Sequence, residues 1–340
     1  MGRIVKHLKN NYKIIIGIII GVVISGCGVY AATVIAASSV GYTDNASLGA
    51  TNVQDAIDKL NTKATTKIKE AEAKCPDGYK CIKPLCKRAT TLHTETCSQT
   101  STSAYCQADG YALNDTITYG NLGTTGTLTS GDAFDCDVNG DGVYDSATER
   151  FYYVSDMTNG VTQDSNTAVL IYYNNVSGGV ASNSTAYAYD TNKDAYTNGP
   201  ETAIKQLPTT SQWKNVSLIN VTRNITDEKN TVRKSAFSYE GYAARLITAQ
   251  EVSAGCGFTV GNRTTGELSS KCKYLMENTQ YSSSSLKTYG EWLESPRASY
   301  SYNAWRVYAS TRYVSHSTVT NTGDYGVRPA IEVLKSNISY

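Results

Sequence analysis

Histidine occurs only three times in 340 residues, at His7, His93 and His316. That scarcity leaves little for imidazole acid–base chemistry or for a histidine-ligated metal. No Cys-x-x-Cys pair is present, which removes the usual zinc spacing. A Gly-x-Ser-x-Gly elbow, a His-Glu-x-x-His helix and a phosphate-cradling glycine loop are also missing. Nothing therefore points to nucleophilic or metal-assisted hydrolysis. The formal net charge is +1, so charge provides no argument for nucleic acid as a partner. Phenylalanine is scarce at 4 against 26 tyrosines. Such an excess suggests tyrosine used on surfaces, where ring and hydroxyl both serve.

A further absence is local. No charged residue stands between Lys13 and Asp44. Residues 14–37 are long and apolar enough for the roughly 20 residues that a bilayer span needs. Arg3, Lys6, Lys9 and Lys13 precede the run, and no Lys or Arg follows until Lys59. That asymmetry predicts a single-pass protein of the cell membrane, with its N-terminus cytoplasmic and its C-terminal head extracellular. Cleavage near Val29-Tyr30-Ala31, or lipidation of Cys27 within Ile24-Ser25-Gly26-Cys27, would keep the same topology. A pilin reading lacks the glutamate that such a leader carries. Gly17, Gly21 and Ser25 recur at a spacing that lets helices pack closely, although membrane helices are rich in glycine in any case.

Beyond the apolar run, the expected organisation is a cytoplasmic tip (1–13), a transmembrane helix (14–37), a linker and helical stalk (38–74), a Cys-rich knot (75–107) and a head (108–340). Val53, Ile57, Leu60 and Ala64 step as a heptad-like seam, which fits either a coiled coil or a single amphipathic helix. Residues 49–60 resemble a short segment common in surface and phage-fibre proteins. Self-association through the stalk or the transmembrane helix is expected. Eight of the nine cysteines follow the apolar run, an even set that fits disulfides in an oxidising location. Their spacing leaves the connectivity open. The head reads as β-rich, with strands expected over 116–119, 150–155 and 167–173. Helices are expected over 209–219 and 248–253, each opened by a Thr-x-x-Gln or Thr-x-x-Glu capping box.

Two constellations could bind something. Asp137, Asn139, Asp141, Val143 and Asp145, with Gly142 at the turn, match the first part of a calcium loop. Position twelve is Thr148 where an acid is expected, so an Asx-turn loop without metal is the rival. Calcium, if bound, would be structural.

The second constellation follows from a resemblance. Ala244-Arg245-Leu246-Ile247-Thr248-Ala249-Gln250-Glu251-Val252 resembles the helix start of the formylglycine-generating-enzyme superfamily, and so does Leu207-Pro208-Thr209-Thr210-Ser211-Gln212-Trp213. Tyr289-Gly290-Glu291-Trp292-Leu293-Glu294-Ser295-Pro296-Arg297 and Gly326-Val327-Arg328-Pro329-Ala330-Ile331 are similar to lectin-like surface domains of Firmicutes. The implied fold class is α+β, with a C-type-lectin-like head. Residues 299–316 resemble the variable region of retroelement-diversified proteins of that fold. The resemblance implies ligand binding through Tyr300, Tyr302, Asn303, Arg306, Tyr308, Arg312, Tyr313 and His316, with Trp292 and Arg328 holding the frame. Alternation along one strand would put Tyr300, Tyr302, Arg306 and Tyr308 on one face and turn Trp305 inward. The expected function is recognition or adhesion, without catalysis, toward an extracellular protein or glycan. The alternatives are a formylglycine-generating-type surface oxidase and a pilus-like envelope scaffold subunit. The oxidase's paired cysteines and the lectins' Trp-Asn-Asp and Glu-Pro-Asn calcium signatures are not matched here.

Overall fold

Two neighbouring runs, Arg150–Thr158 and Gln163–Tyr172, carry β-branched and aromatic residues at nearly every position of their buried parts. Such runs suit strands covered on both faces. In the computed structural model they pair antiparallel at the centre of a six-stranded sheet. The structure describes residues 53, 55–59, 83–107, 113–158, 163–259, 268, 272–281 and 288–340. The chain divides into two units, Met1–Lys83 and Pro84–Tyr340.

In the first unit the described residues are helical at 53 and 55–59, with Lys59 bridging back to Asp55 at 2.9 Å. In the second unit the main sheet contains β1 (Cys86–Arg88), β4 (Ala133–Cys136), β5 (Arg150–Thr158), β6 (Gln163–Tyr172), β14 (Ala330–Leu334) and β15 (Ile338–Ser339). Their order is β14-β6-β5-β4-β1-β15, antiparallel throughout except for the parallel β1–β15 pair. Smaller ribbons join β2 (His93–Thr96) to β3 (Thr116–Tyr119), β7 (Val176–Ser177) to β8 (Val180–Ala181), and β9 (Thr222–Thr226) to β10 (Val232–Ser238). A three-stranded sheet holds β11 (Gly290–Arg297), β12 (Tyr300–Tyr308) and β13 (Tyr313–Thr318).

Alternation along the two central strands divides the core. Phe151, Tyr153, Leu170 and Tyr172 face one cluster with Phe134 and Trp213. Tyr152, Val154, Val169 and Ile171 face the other with Tyr274 and Leu293. Successive strand residues point to opposite faces, so one apolar run feeds two cores.

Several expectations are corrected. Strand makes up 37% and helix 13%, so the α+β class with a lectin-like head gives way to a mostly β chain. The described α-helices of the second unit are α1 (Ala195–Asn198) and α2 (Ala249–Cys256). No helical stalk stands among the described residues beyond the helical residues 53 and 55–59. No helix among them is long and apolar enough to cross a membrane, so the single-pass localisation is corrected as well. Residues 14–37, on which that expectation rested, lie outside the described residues, as do Cys75 and Cys81.

The Cys-rich knot is also redrawn. Cys97–Cys106 closes within it, but Cys86 pairs with Cys136 across adjacent strands of the main sheet. A third disulfide joins Cys256 to Cys272. β1 lies within the region expected to be the knot, so that region contributes a strand to the head's main sheet.

Of the two expected helices, one forms. Thr248 caps α2, accepts from the Glu251 N–H, and receives the Glu251 carboxylate on its own N–H, while Gly257 ends the helix in the left-handed region at φ 75. The equivalent start at Thr209 makes only turns. Gln212 does accept from the Thr209 N–H at 2.8 Å, but its amide also donates to the Gly178 carbonyl. Asn215 then donates its N–H to the Val138 carbonyl, which takes the chain away from a helical path.

Candidate functional site

The three-stranded sheet carries the expected binding residues. β12 is its central strand, with Trp292 opposite Arg306 on one side and Ser315 opposite Arg306 on the other. Opposed residues share a face, so Trp292, Arg306 and Ser315 look one way and Glu291, Val307 and Val314 the other. Trp305 is buried, and its indole donates to Glu228 at 2.8 Å. Trp292 and Arg328 are wholly buried, as a frame requires.

The expected face does not stay level. Tyr300 and Tyr302 are 40% and 49% exposed, with rings 5.5 Å apart and nearly perpendicular. The Arg297 guanidinium lies 4.3 Å from the Tyr300 ring centroid. Ala304 is buried, and Arg306 is only 8% exposed. Four residues of extended chain place Arg306 roughly 13 Å from Tyr302. The expected set therefore splits into a tyrosine tip and a second group around Arg306.

In that second group the guanidinium carbon lies 3.9 Å from the Tyr308 ring centroid and 4.5 Å from that of Tyr325. Tyr308 and Tyr313 are half-buried, opposed across the strands, with rings 6.2 Å apart. Burial lowers the Arg306 pKa, against the pull of Tyr325, Tyr308, Tyr313 and Asp324. Asn303 and His316 sit on the other face. They share a 2.8 Å hydrogen bond between Asn303 Nδ2 and His316 Nδ1, and His316 packs edge-on to Trp305. Arg312 occupies the left-handed turn before β13 at φ 55, and its carbonyl accepts from the Leu268 N–H. Asn303 and His316 are therefore on the face of the sheet opposite Arg306.

Tyr325 was missed at the sequence level. It lies in the loop after β13, just before the closing Gly326, and no periodicity marks it.

Glu291 behaves differently from its strand neighbours. It is wholly buried, and neither carboxyl oxygen has a hydrogen-bond partner. Arg328 Nη2 lies 3.8 Å away, close enough to attract but too far to donate. Burial pushes the Glu291 carboxyl up to about 7, despite Arg328. The folded state thus holds this proton more tightly than the unfolded chain. Stability should fall as pH rises from about 4.5 to about 7, by on the order of 3 kcal/mol for this group. Glu291→Gln should remove that slope in urea denaturation followed across the same range. A variant that keeps the slope would show that another group titrates.

The calcium residues fold back on themselves. Asp137 accepts the N–H groups of Gly140 and Gly142, Asn139 that of Asp141, Asp141 that of Val143, and Asp145 that of Ala147. Glu149 accepts those of Val138 and Asn139 from inside the loop. These are Asx turns, which curl the loop through its own backbone N–H groups. No group of three or more His, Cys, Asp or Glu among the described residues is placed to hold a metal.

Catalytic groupings fare no better. His93 Nδ1 contacts Glu277 Oε1 at 2.7 Å, and Nε2 contacts the Ser146 carbonyl at 2.6 Å. Two oxygen partners favour the doubly protonated ring, and they hold the imidazole in place. Burial opposes that charge, and Glu277 outweighs it to raise the pKa. A groove of about 640 Å³ passes Ser130, Tyr153, Asp156, Lys273 and Tyr274. Its Ser130 and Tyr274 hydroxyls bond each other at 2.7 Å, and Asp156 is taken by Tyr153 and Lys335. The six described cysteines are all in disulfides, so none of them offers a thiol. Comparison with protein families, with curated proteins and with solved structures finds no match to this chain.

Proposed function

We propose that this chain is a binding protein that recognises a protein or glycan ligand through the β12–β13 side of its three-stranded sheet. The observation that carries the reading is the exposure of Tyr300 and Tyr302 on a strand whose next residues are buried. Among the described residues they are the exposed large aromatics. Tyrosine offers rigid contact area at low entropy cost, and the neighbouring Ser301 can adapt its hydrogen bonding. Trp305 and Trp292 anchor the strand beneath them, so the contact surface is held in place before a ligand arrives.

The test is a ligand selected by the full chain from random peptide and glycan displays. Joint replacement of Tyr300 and Tyr302 by Ala should weaken binding tenfold or more, since central aromatic anchors are worth about 2 kcal/mol or more. Stability should change by no more than about 0.5 kcal/mol, as is usual for exposed positions. A sharp fall in melting temperature would identify the two rings as core and sink the reading.

A further inference from the structure

Five arginines are buried among the described residues: Arg150, Arg223, Arg245, Arg306 and Arg328. Four of them have a carboxylate partner, namely Asp135, Glu332, Glu251 and Glu291 respectively. Among the described residues, no carboxylate lies within ion-pair distance of Arg306. Its Nε and Nη1 are buried and lack any hydrogen-bond acceptor. A desolvated cation with idle donors is costly unless something completes it. Tyrosine rings steady its charge through their faces but do not occupy its planar fork.

We infer that Arg306 is the recognition point for a single carboxylate, supplied by an acidic side chain of a peptide ligand. This rests on the reading that the β12–β13 side binds. A guanidinium fork matches one carboxylate through two parallel N–H···O bonds. Phosphate sites gather several arginines, whereas among the described residues Arg306 is the cation set against these rings, and Asp324 is near enough to oppose a second negative charge. A sugar acid is the weaker candidate. The Tyr300 and Tyr302 rings meet at 70°, so they offer no common plane on which a sugar ring could lie. The rings of Tyr308 and Tyr325 flank the cation, with half-buried Tyr313 opposite Tyr308 and Ser315 opposite Arg306 on the neighbouring strand. An aliphatic stem ending in a carboxylate suits that lining.

The experiment is selection from a random peptide display on the full chain, repeated with Arg306→Gln and Arg306→Lys. Selected peptides should share an Asp or Glu. Replacing that residue by Asn or Gln should weaken binding roughly ten- to hundredfold. Arg306→Gln should remove the acidic preference, and Arg306→Lys should restore it only in part because the fork is lost. The melting temperature of Arg306→Gln should match or exceed that of the parent, since an unpaired buried charge is gone; a clear fall would make Arg306 structural and overturn the inference. Peptides that depend on Tyr302 but carry no acidic preference would overturn the carboxylate assignment while leaving the binding face intact. Peptides indifferent to Tyr300, Tyr302 and Arg306 alike would overturn the face itself, and so would failure to select any peptide. Arg306-dependent binding confined to sialic or uronic acids on a glycan array would overturn the peptide assignment.

Discussion

Arg245→Ala should destabilise the protein by about 3–5 kcal/mol, the cost of breaking a buried ion pair by removing one partner. The side chain is wholly buried. Its Nη1 and Nη2 reach the two oxygens of Glu251 at 2.9 and 2.6 Å, and its Nε reaches Glu332 at 2.6 Å. Arg223 also donates to Glu332 at 3.0 Å, so that carboxylate would keep one cation. Glu251 would keep the N–H of Thr248, at 3.0 Å, and the more distant attraction of Arg223, but would lose its paired guanidinium. That loss is a large share of the roughly 5–15 kcal/mol by which domains are stable.

The pH dependence has a definite sign. In the parent, burial pushes the Glu251 carboxyl up and Arg245 more than reverses it, leaving the group below its ordinary 4.5. Its contribution is present above about 4.5 and is lost as pH falls through the folded value. In the variant, burial is opposed only by Arg223 and the Thr248 N–H, so the folded carboxyl should bind its proton more tightly than in the parent. Acid then relieves the penalty, so the gap between parent and variant should narrow on going from neutral pH to about pH 5. Urea midpoints at the two pH values measure it. A loss under about 1 kcal/mol at neutral pH would mean that water reaches the network and solvates Glu251.

Trp292→Ala should cost about 3–5 kcal/mol, the range for emptying a buried tryptophan site. The indole packs edge-on between Tyr189 and Tyr325, with centroids 5.8 and 4.8 Å away, and donates to the Tyr187 carbonyl at 2.7 Å. Deletion opens a cavity and strands that carbonyl. It also removes the ring behind Tyr325, which is one of the two rings beside Arg306. Ligand affinity should therefore fall further than stability alone explains. Trp292→Phe keeps an aromatic wedge and loses the N–H, so about 1–2 kcal/mol is expected. Equal effects of Ala and Phe in thermal denaturation would show that the hydrogen bond, and not the packing, holds this position.

How far the sequence could be read depended on where the deciding contacts lay. The central strands were legible because β-branched and aromatic residues crowd Arg150–Thr158 and the second half of Gln163–Tyr172. The capping box at Thr248 was legible because both of its partners lie within one helical turn. The same local signal misled at Thr209, where Gln212 and Asn215 are engaged by residues 178 and 138. Propensity there competes with tertiary hydrogen bonds and loses. The inward turn of Trp305 followed from alternation, but the descent of β12 from exposed Tyr302 to buried Arg306 did not, since it depends on what lies above the strand.

The sequence by itself determined the β-rich character of the head, the start of α2 and the exposed tyrosines near the start of β12, because each rests on neighbours within a few residues. The tertiary structure alone decided that Cys86 pairs with Cys136, that Glu251 and Glu332 share Arg245, and that Tyr325 closes on Arg306. Those partners are distant in sequence except where a helix brings them together. Nothing in local spacing encodes which buried charge meets which; that choice is made when the chain packs and each charge must find its counterpart away from water.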